Sequence, residues 1–371
     1  PDSGRGLKVY LCRHCGLMQS LPRLDRAPRR SAQVSSGADW GNVRYGKRFR
    51  TEACLALIRK RADLSKPLHA LDVGSNRGSF AQAFLGEASV ARIACVEPDE
   101  RVADSCARLE RAELVRARIE DATFPDECFD VIHSCHTIEH LKSPRAVLAD
   151  HWRTLKPGGL LVIDAPNVGL ISSPDIIEEW FIDKHLYHFS GATLSRLLDA
   201  AGFEVIDGPS VSNSENLLFA ARKRGVAAQP VRSDAREVEG TLKHIDRYVA
   251  NRTRNRAALG EVAREIAALA DKRVALWGAG RLFDALVLHG GFDPRTLSLL
   301  VDTHLKPHMN ARHGVALSGP EALAAANAGV IVVMSRAFAG EIAKIAKLAA
   351  PKAEILFYAD LIARARTKIA A

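Results

Sequence analysis

The chain has 371 residues, 47% hydrophobic and 26% charged, a balance that excludes a largely disordered or fibrous protein and predicts two or three domains at about 150 residues each. No run of about 18 uncharged apolar residues occurs, so no membrane-spanning helix is expected. The net charge of +9 invites a nucleic-acid reading, but residues 1–61 hold fourteen basic and four acidic side chains, and the remainder is nearly neutral.

Seven cysteines are present, and Cys54, Cys95, Cys106, Cys128 and Cys135 stand singly in apolar or helical contexts. With no charged-then-apolar leader at Pro1–Gly4, this predicts a reduced, cytoplasmic chain rather than a disulfide scaffold.

Residues 1–40 read as loops with one short strand at Lys8–Cys12, followed by a helix at Arg48–Ala62. An alternation then begins. Strands are predicted at 68–73, 92–97, 114–119, 129–134 and 160–165, and helices at 79–86, 99–110 and 146–155. A helix at 191–201 and late strands at 203–205 and 216–222 complete this part. Strands alternating with helices imply a parallel sheet. Residues 223–235 read as a linker and 235–269 as a helix. A second alternation follows, with strands at 273–277, 297–302, 330–335 and 353–358 and helices at 282–288 and 339–348.

Leu71-Asp72-Val73-Gly74-Ser75-Asn76-Arg77-Gly78 follows a strand and opens a helix, and glycines there let a ligand approach the backbone. The next strand ends in Val96-Glu97-Pro98, where one carboxylate can accept from two ribose hydroxyls. Phe124–Ile132, Ile138-Glu139-His140-Leu141 and Leu155-Lys156-Pro157-Gly158-Gly159 complete the pattern. From Leu68 to Phe219 the chain resembles the class I S-adenosylmethionine (SAM)-dependent methyltransferases. The resemblance implies an α/β fold with a seven-stranded Rossmann-like core. It implies SAM as cofactor, with Asp72, Gly74, Ser75, Asn76 and Gly78 at its methionine end and Glu97 and Pro98 at the ribose. Ile119, Glu120 and Asp121 would border the adenine, and His136 and Tyr45 would line or cover the reactive side.

The turn Gly74-Ser75-Asn76-Arg77-Gly78 is similar to that of three-part sugar C-methyltransferases, which carry a zinc-binding segment, a methyltransferase core and a C-terminal Rossmann-like domain. The family commonly has Asp where Arg77 stands. The implied division is a basic N-terminal segment at 1–47, a methyltransferase domain at 48–225, a helical linker at 226–270 and a smaller Rossmann-like α/β domain at 271–371. Cys12-Arg13-His14-Cys15-Gly16 resembles one zinc knuckle. A closed structural site takes four ligands, so Cys12 and Cys15 are half of one; the other half lies upstream or has been lost. Val274–Arg281 carries Gly-Ala-Gly after a strand, but Phe283 stands where a dinucleotide fingerprint has its third glycine. The resemblance instead implies a nucleotide-sugar holder, with Asp302, Lys306 and Arg336 as contributors.

His185 falls where these enzymes carry a histidine, before Phe189-Ser190; Ile182 and Lys184 depart from the family's Tyr and Glu. Methylating carbon requires a carbanion, and imidazole suits proton removal beside a ketone. His185 is therefore the expected general base, with His188 second; the competing reading is that His185 packs near the helix that Ser190 caps. The expected function is C-methylation of a nucleotide-linked keto sugar. The alternatives are O-methylation of a glycan or small molecule, an RNA-binding protein or RNA methyltransferase using the basic end, and an assembly protein with a vestigial cofactor site.

Overall fold

The computed structural model describes residues 8–21, 47–181, 185–208, 216–225, 229–307, 309–336 and 338–370. Of these, a first compact unit takes the residues within 1–25, 46–170 and 181–244, and a second those within 171–180 and 245–371.

The first unit opens with a hairpin, β1 (Lys8–Leu11) against β2 (Met18–Leu21), turned at Cys12–Gly16. Helix α1 (Lys47–Arg61) leads to β3 (Leu68–Val73), α2 (Ser79–Leu85), β4 (Val90–Val96), α3 (Glu100–Ala107) and β5 (Ala112–Val115). The chain then crosses to β6 (Phe129–Cys135), α4 (Pro144–Thr154), β7 (Leu155–Pro166), β8 (Tyr187–His188), α5 (Gly191–Ala200), β9 (Phe203–Asp207) and β10 (Asn216–Lys223). Seven of these strands form one sheet in the order β5-β4-β3-β6-β7-β10-β9. Only β10 runs against its neighbours. This is the Rossmann-like α/β methyltransferase fold that the resemblance implies. Its two faces are covered by separate apolar clusters, one around Leu71, Ile132, Phe189 and Phe219, the other around Ile58, Phe84, Ile93 and Val162.

Three expected elements differ. The strand predicted over 114–119 stops at Val115, and Ile119–Asp121 is a 3-10 turn. The fifth strand begins at Leu155 instead of Leu160, with Lys156–Gly159 carried as a bulge in which Gly158 sits at φ +72°. Tyr187–His188 pairs with β2 and makes the hairpin three-stranded; two residues carry too little pattern to register as a strand.

The strand order reverses between β3 and β6, and ligands of open α/β sheets bind outside the strands' carboxyl ends at such a switch point. The Gly74–Gly78 turn lies there.

Helix α6 (Ala235–Ala267) is 33 residues long, and the helical linker expected over 226–270 is divided between the units. Its first turns belong with the first unit, where Thr241 donates to the Gly16 carbonyl at 3.2 Å and Glu237 accepts from Ser190.

The second unit has a six-stranded sheet, β13-β14-β12-β11-β15-β16. Its strands are β11 (Val274–Trp277), β12 (Leu299–Val301), β13 (Ala311–Arg312), β14 (Val315–Ser318), β15 (Val330–Val333) and β16 (Glu354–Phe357). The helices are α7 (Arg281–Gly290), α8 (Leu323–Ala326), α9 (Ala339–Ala349) and α10 (Tyr358–Ala370). The sequence pattern misses α10, which starts directly on the last strand.

Candidate active site

The glycine turn is held by three contacts. Gly74 has φ +71°, and a Cβ there would stand 2.3 Å from Thr137 Oγ1. That hydroxyl is itself tied to the Val73 and Cys135 carbonyls, each at 3.2 Å. Asn76, where the resembled family has its middle glycine, sits at φ +51°, a left-handed conformation that asparagine tolerates better than most residues. Its backbone N–H donates to Glu97 Oε2 at 2.8 Å, while Glu97 Oε1 accepts from Asp99 N at 2.9 Å. Burial pushes the Glu97 carboxyl above its usual range, and the two backbone donors pull the other way. Glu97 thus pins the turn to the end of β4. Pro98 beside it is exposed.

Asp72 is buried, and one oxygen accepts from His133 Nδ1 at 2.8 Å. Its other oxygen has no hydrogen-bond partner. Phe80 stacks on His133 with ring centroids 3.5 Å apart. Burial alone would lower the His133 pKa, but the interactions with Asp72 and the Cys54 thiol outweigh it and raise it to about 10. Ser75 is also buried and accepts weakly from the Cys106 thiol at 3.5 Å.

Replacing Gly74 with alanine is expected to cost roughly 1–2 kcal/mol in backbone strain. The strain is relieved by moving the turn away from Thr137. S-adenosylhomocysteine should therefore bind about tenfold more weakly, since 1.4 kcal/mol is tenfold. Isothermal titration checks it, and unchanged affinity would remove the turn from the cofactor site.

On the other side of the switch point, β6 is followed directly by His136, whose φ is +50°. Its Nε2 meets Asn216 Oδ1 at 2.9 Å and its Nδ1 lies 3.6 Å from Glu139 Oε1. Glu139 is buried, and neither of its oxygens has a hydrogen-bond partner. Burial raises its pKa, with His140 and Arg50 acting against the rise. His140 Nε2 lies 3.7 Å from the same Oε1. The Leu186 N–H donates to the Glu139 carbonyl at 2.8 Å, which sets His185 beside His140 with ring centroids 4.9 Å apart. Asp164 on β7 adds another buried carboxylate, raised to about 6 by burial. Several buried acids with perturbed pKa values at one sheet edge mark a functional site.

The sequence-predicted residues divide accordingly. Asp72, Gly74, Ser75, Asn76, Gly78, Glu97 and His136 gather around the switch point. Ile119 is buried, Glu120 accepts from the Lys142 N–H at 2.8 Å, and Asp121 is exposed. Tyr45, Ile182 and Lys184 lie outside the described residues. His188 is buried in β8 with its Nε2 2.9 Å from Ser20 Oγ, and burial lowers its pKa to about 4. Those contacts give His188 a structural place, which narrows the proton-acceptor reading to His185. Ser190 caps α5 in a capping box with Thr193. Pattern reading passes over His133, Asp164 and Asn216. The available signal is polarity inside β6, β7 and β10, which are otherwise apolar.

Cys12 and Cys15 flank a tight turn in which the Gly16 N–H donates to the Cys12 carbonyl at 2.9 Å. His14 is committed to the Val231 carbonyl at 2.8 Å. Among the described residues no third ligand joins the two thiols, so the zinc expectation does not close.

In the second unit Asp302 resembles Glu97 in its work. Its carboxylate accepts from the backbone N–H groups of Ala279, His304 and Leu305 at 2.8–2.9 Å. Arg336, expected to meet a diphosphate, is instead bound within the unit. It donates to Asp175 Oδ2 at 2.5 Å and to both Glu178 oxygens at 2.6 and 2.8 Å. Two acids inside the fold neutralise the guanidinium, a pairing the sequence could not show across some 160 residues.

Residues 46–207 match the family model described as a methyltransferase domain. The chain carries a methyltransferase domain. A Mycolicibacterium smegmatis protein named "Probable S-adenosylmethionine-dependent methyltransferase" is 30% identical over 149 residues, 40% of this chain and 56% of that protein. An uncharacterized methyltransferase of Mycolicibacterium vanbaalenii is 40% identical over 99 residues, 26% of this chain and 38% of its own length. The chain thus spans about half, or less, of the curated relatives it matches. Among solved structures, the 1,6-didemethyltoxoflavin-N1-methyltransferase of Burkholderia thailandensis is 19% identical with a TM-score of 0.38, over 56% of this chain and 96% of that one. The S-adenosylmethionine dependent methyltransferase of Mesorhizobium loti is 16% identical with a TM-score of 0.38, over 45% and 96%.

The residues of the methyltransferase domain fit SAM. The orphan oxygen of Asp72 suits an ammonium donor. A Cβ at Gly74 or Gly78 would press on Thr137 or Cys106 and disturb the turn that would receive it. Beyond this domain, no helix among the described residues is long and apolar enough to cross a membrane.

Proposed function

We propose that the chain is a SAM-dependent methyltransferase acting on a small-molecule acceptor, specifically a carbon of a nucleotide-linked keto sugar or related saccharide precursor. The observation that carries the reading is the juxtaposition at the switch point. A glycine turn pinned by Glu97 and an unsatisfied Asp72 oxygen stand on one side, and the His136–Glu139–His140–His185 cluster on the other. Bound SAM supplies an electrophilic methyl group. The turn residues hold its amino-acid end, Glu97 orients the ribose, and His185 activates the acceptor, in the simplest route by taking the proton beside its carbonyl. Holding two reactants in line contributes on the order of 7–11 kcal/mol in favourable intramolecular models.

The nucleotide-sugar part of the reading rests on the sequence resemblance and on the second α/β unit with its Asp302-laced glycine turn. The basic excess of residues 1–61 suits an anionic diphosphate acceptor. The O-methyl alternative is favoured by nothing further in the geometry.

The test is a mass-spectrometric screen of nucleotide-sugar pools, 4-keto sugars included, incubated with the full chain and methyl-labelled SAM. A labelled methyl gain on a sugar carbon is expected. Label on oxygen would replace the C-methyl reading, and tight S-adenosylhomocysteine binding with no labelled sugar would move the acceptor to another class.

A further inference from the structure

The Glu139 carboxylate poses a problem that cofactor binding does not solve. It is buried and its oxygens receive no hydrogen bond, an arrangement that costs free energy. Three imidazoles surround it. His136 Nε2 meets Asn216 Oδ1 at 2.9 Å, and its Nδ1 lies 3.6 Å from Glu139 Oε1. His140 Nε2 and a ring nitrogen of His185 complete a group with Glu139 in which all three candidate ligand atoms lie within 4.8 Å of one another.

A divalent first-row ion holds imidazole nitrogen and carboxylate oxygen at about 2.0–2.2 Å, so its ligand atoms stand roughly 3–4.4 Å apart, from cis to opposite positions. The 3.7 Å between Glu139 Oε1 and His140 Nε2 falls inside that span. The remaining pairs lie within 4.8 Å, so bringing them to the roughly 3–3.6 Å of adjacent ligands takes side-chain movements of up to about 1–2 Å.

We propose that Glu139, His140 and His185 form a binding site for a divalent first-row transition cation, with His136 and Asn216 as its outer shell. Two imidazoles and one carboxylate favour Mn²⁺, Co²⁺ or Zn²⁺ over Mg²⁺ and Ca²⁺, which prefer all-oxygen sets. Outer-shell partners fix ring orientation at such sites, and the His136–Asn216 contact places His136 in that role. His140, with 38% of its side chain exposed, marks the solvent side from which an ion enters. Three protein ligands leave coordination positions open, and an oxygen of the acceptor, carbonyl or hydroxyl, is the chemistry that fits them. The ion would polarise that oxygen and lower the pKa of the neighbouring proton.

Only this last consequence rests on the methyltransferase reading. It also gives His185 a second way to act, since a lone pair given to a metal no longer takes a proton. Turnover that survives chelation identifies His185 as base; turnover lost on chelation and restored by the ion identifies it as ligand.

The test is a titration of the full chain with Co²⁺ alone, read by visible absorption. One equivalent should bind with ligand-field bands and no thiolate charge-transfer band. Glu139→Gln and His140→Ala should each weaken uptake by about 100-fold or more, at or beyond the top of the 10–100-fold range for outer-shell changes. A Cys12→Ser, Cys15→Ser double variant should leave uptake unchanged. S-adenosylhomocysteine affinity on the same variants reports their folding and tests the methyltransferase reading separately. If Glu139→Gln does not fold, the more exposed His140→Ala decides. No uptake by the wild type, or uptake indifferent to His140→Ala, overturns the proposal; the first result would mean that an imidazolium satisfies Glu139. Loss of uptake in the cysteine variant would move the ion to the hairpin and overturn it equally.

Discussion

Replacing His185 with alanine is expected to lower methyl transfer by about 10²–10⁴-fold, the usual worth of a positioned acid–base group, while S-adenosylhomocysteine affinity stays unchanged. The separation follows from the fold. The cofactor turn is held by the end of β3, Glu97 and Thr137. His185 is placed from the other side, by the Leu186 N–H bonded to the Glu139 carbonyl and by the edge of its ring against His140. The competing role, packing before α5, predicts a different result, because Ser190 and Thr193 cap that helix without help from His185. Steady-state rates with the acceptor found in the screen decide between them. A variant that keeps more than a small fraction of wild-type turnover takes His185 out of the chemistry. His188→Ala serves as contrast: it should cost stability through the lost Ser20 contact, and its turnover per folded molecule should hold.

His133→Leu is expected to destabilise the protein by about 3–5 kcal/mol, the typical result of stranding one member of a buried charged pair. Asp72 keeps its burial and loses the hydrogen bond that His133 gives to Oδ1. The leucine also forfeits the stacking on Phe80. The pair leaves a pH signature. His133 has a folded pKa of about 10 against roughly 6.5 when unfolded. Because the folded value is the higher, the proton's contribution is fully present below about pH 6.5 and is lost as pH rises through about 10. Urea midpoints of the wild type should therefore fall across that window, and the fall should shrink in His133→Leu. An equal slope in both proteins would show that His133 is neutral when folded.

Much of the fold was legible because it is written in local periodicity. Apolar runs such as Leu68–Val73 and Phe129–Ser134, each followed by a turn and a helical pattern, report a parallel sheet through neighbours a few residues apart. The elements that escaped are those whose cause is distant. Tyr187–His188 is a strand only because β2 lies beside it. Lys156–Gly159 reads as a turn but is carried as a bulge at the start of β7. Tyr358–Ala370 begins without a cap or break after β16, so no local signal separates helix from strand.

The site divides in the same way. By itself the sequence supplied the residues of the expected cofactor half: a glycine turn after the first core strand, an acid at the end of the next, and an asparagine where the resembled family has its middle glycine; the left-handed conformation of Asn76 came from the structure. These residues act mostly through their own backbone, within one or two turns of chain. Only the tertiary structure decided the other half. It brought His185 to a turn 45 residues earlier, left Glu139 buried without a hydrogen bond among imidazoles, sent His188 into a hairpin and spent Arg336 on Asp175 and Glu178. Whether a polar side chain is free for chemistry depends on which distant groups meet it, and that is settled by packing that brings remote segments together, not by the pattern of neighbours along the chain.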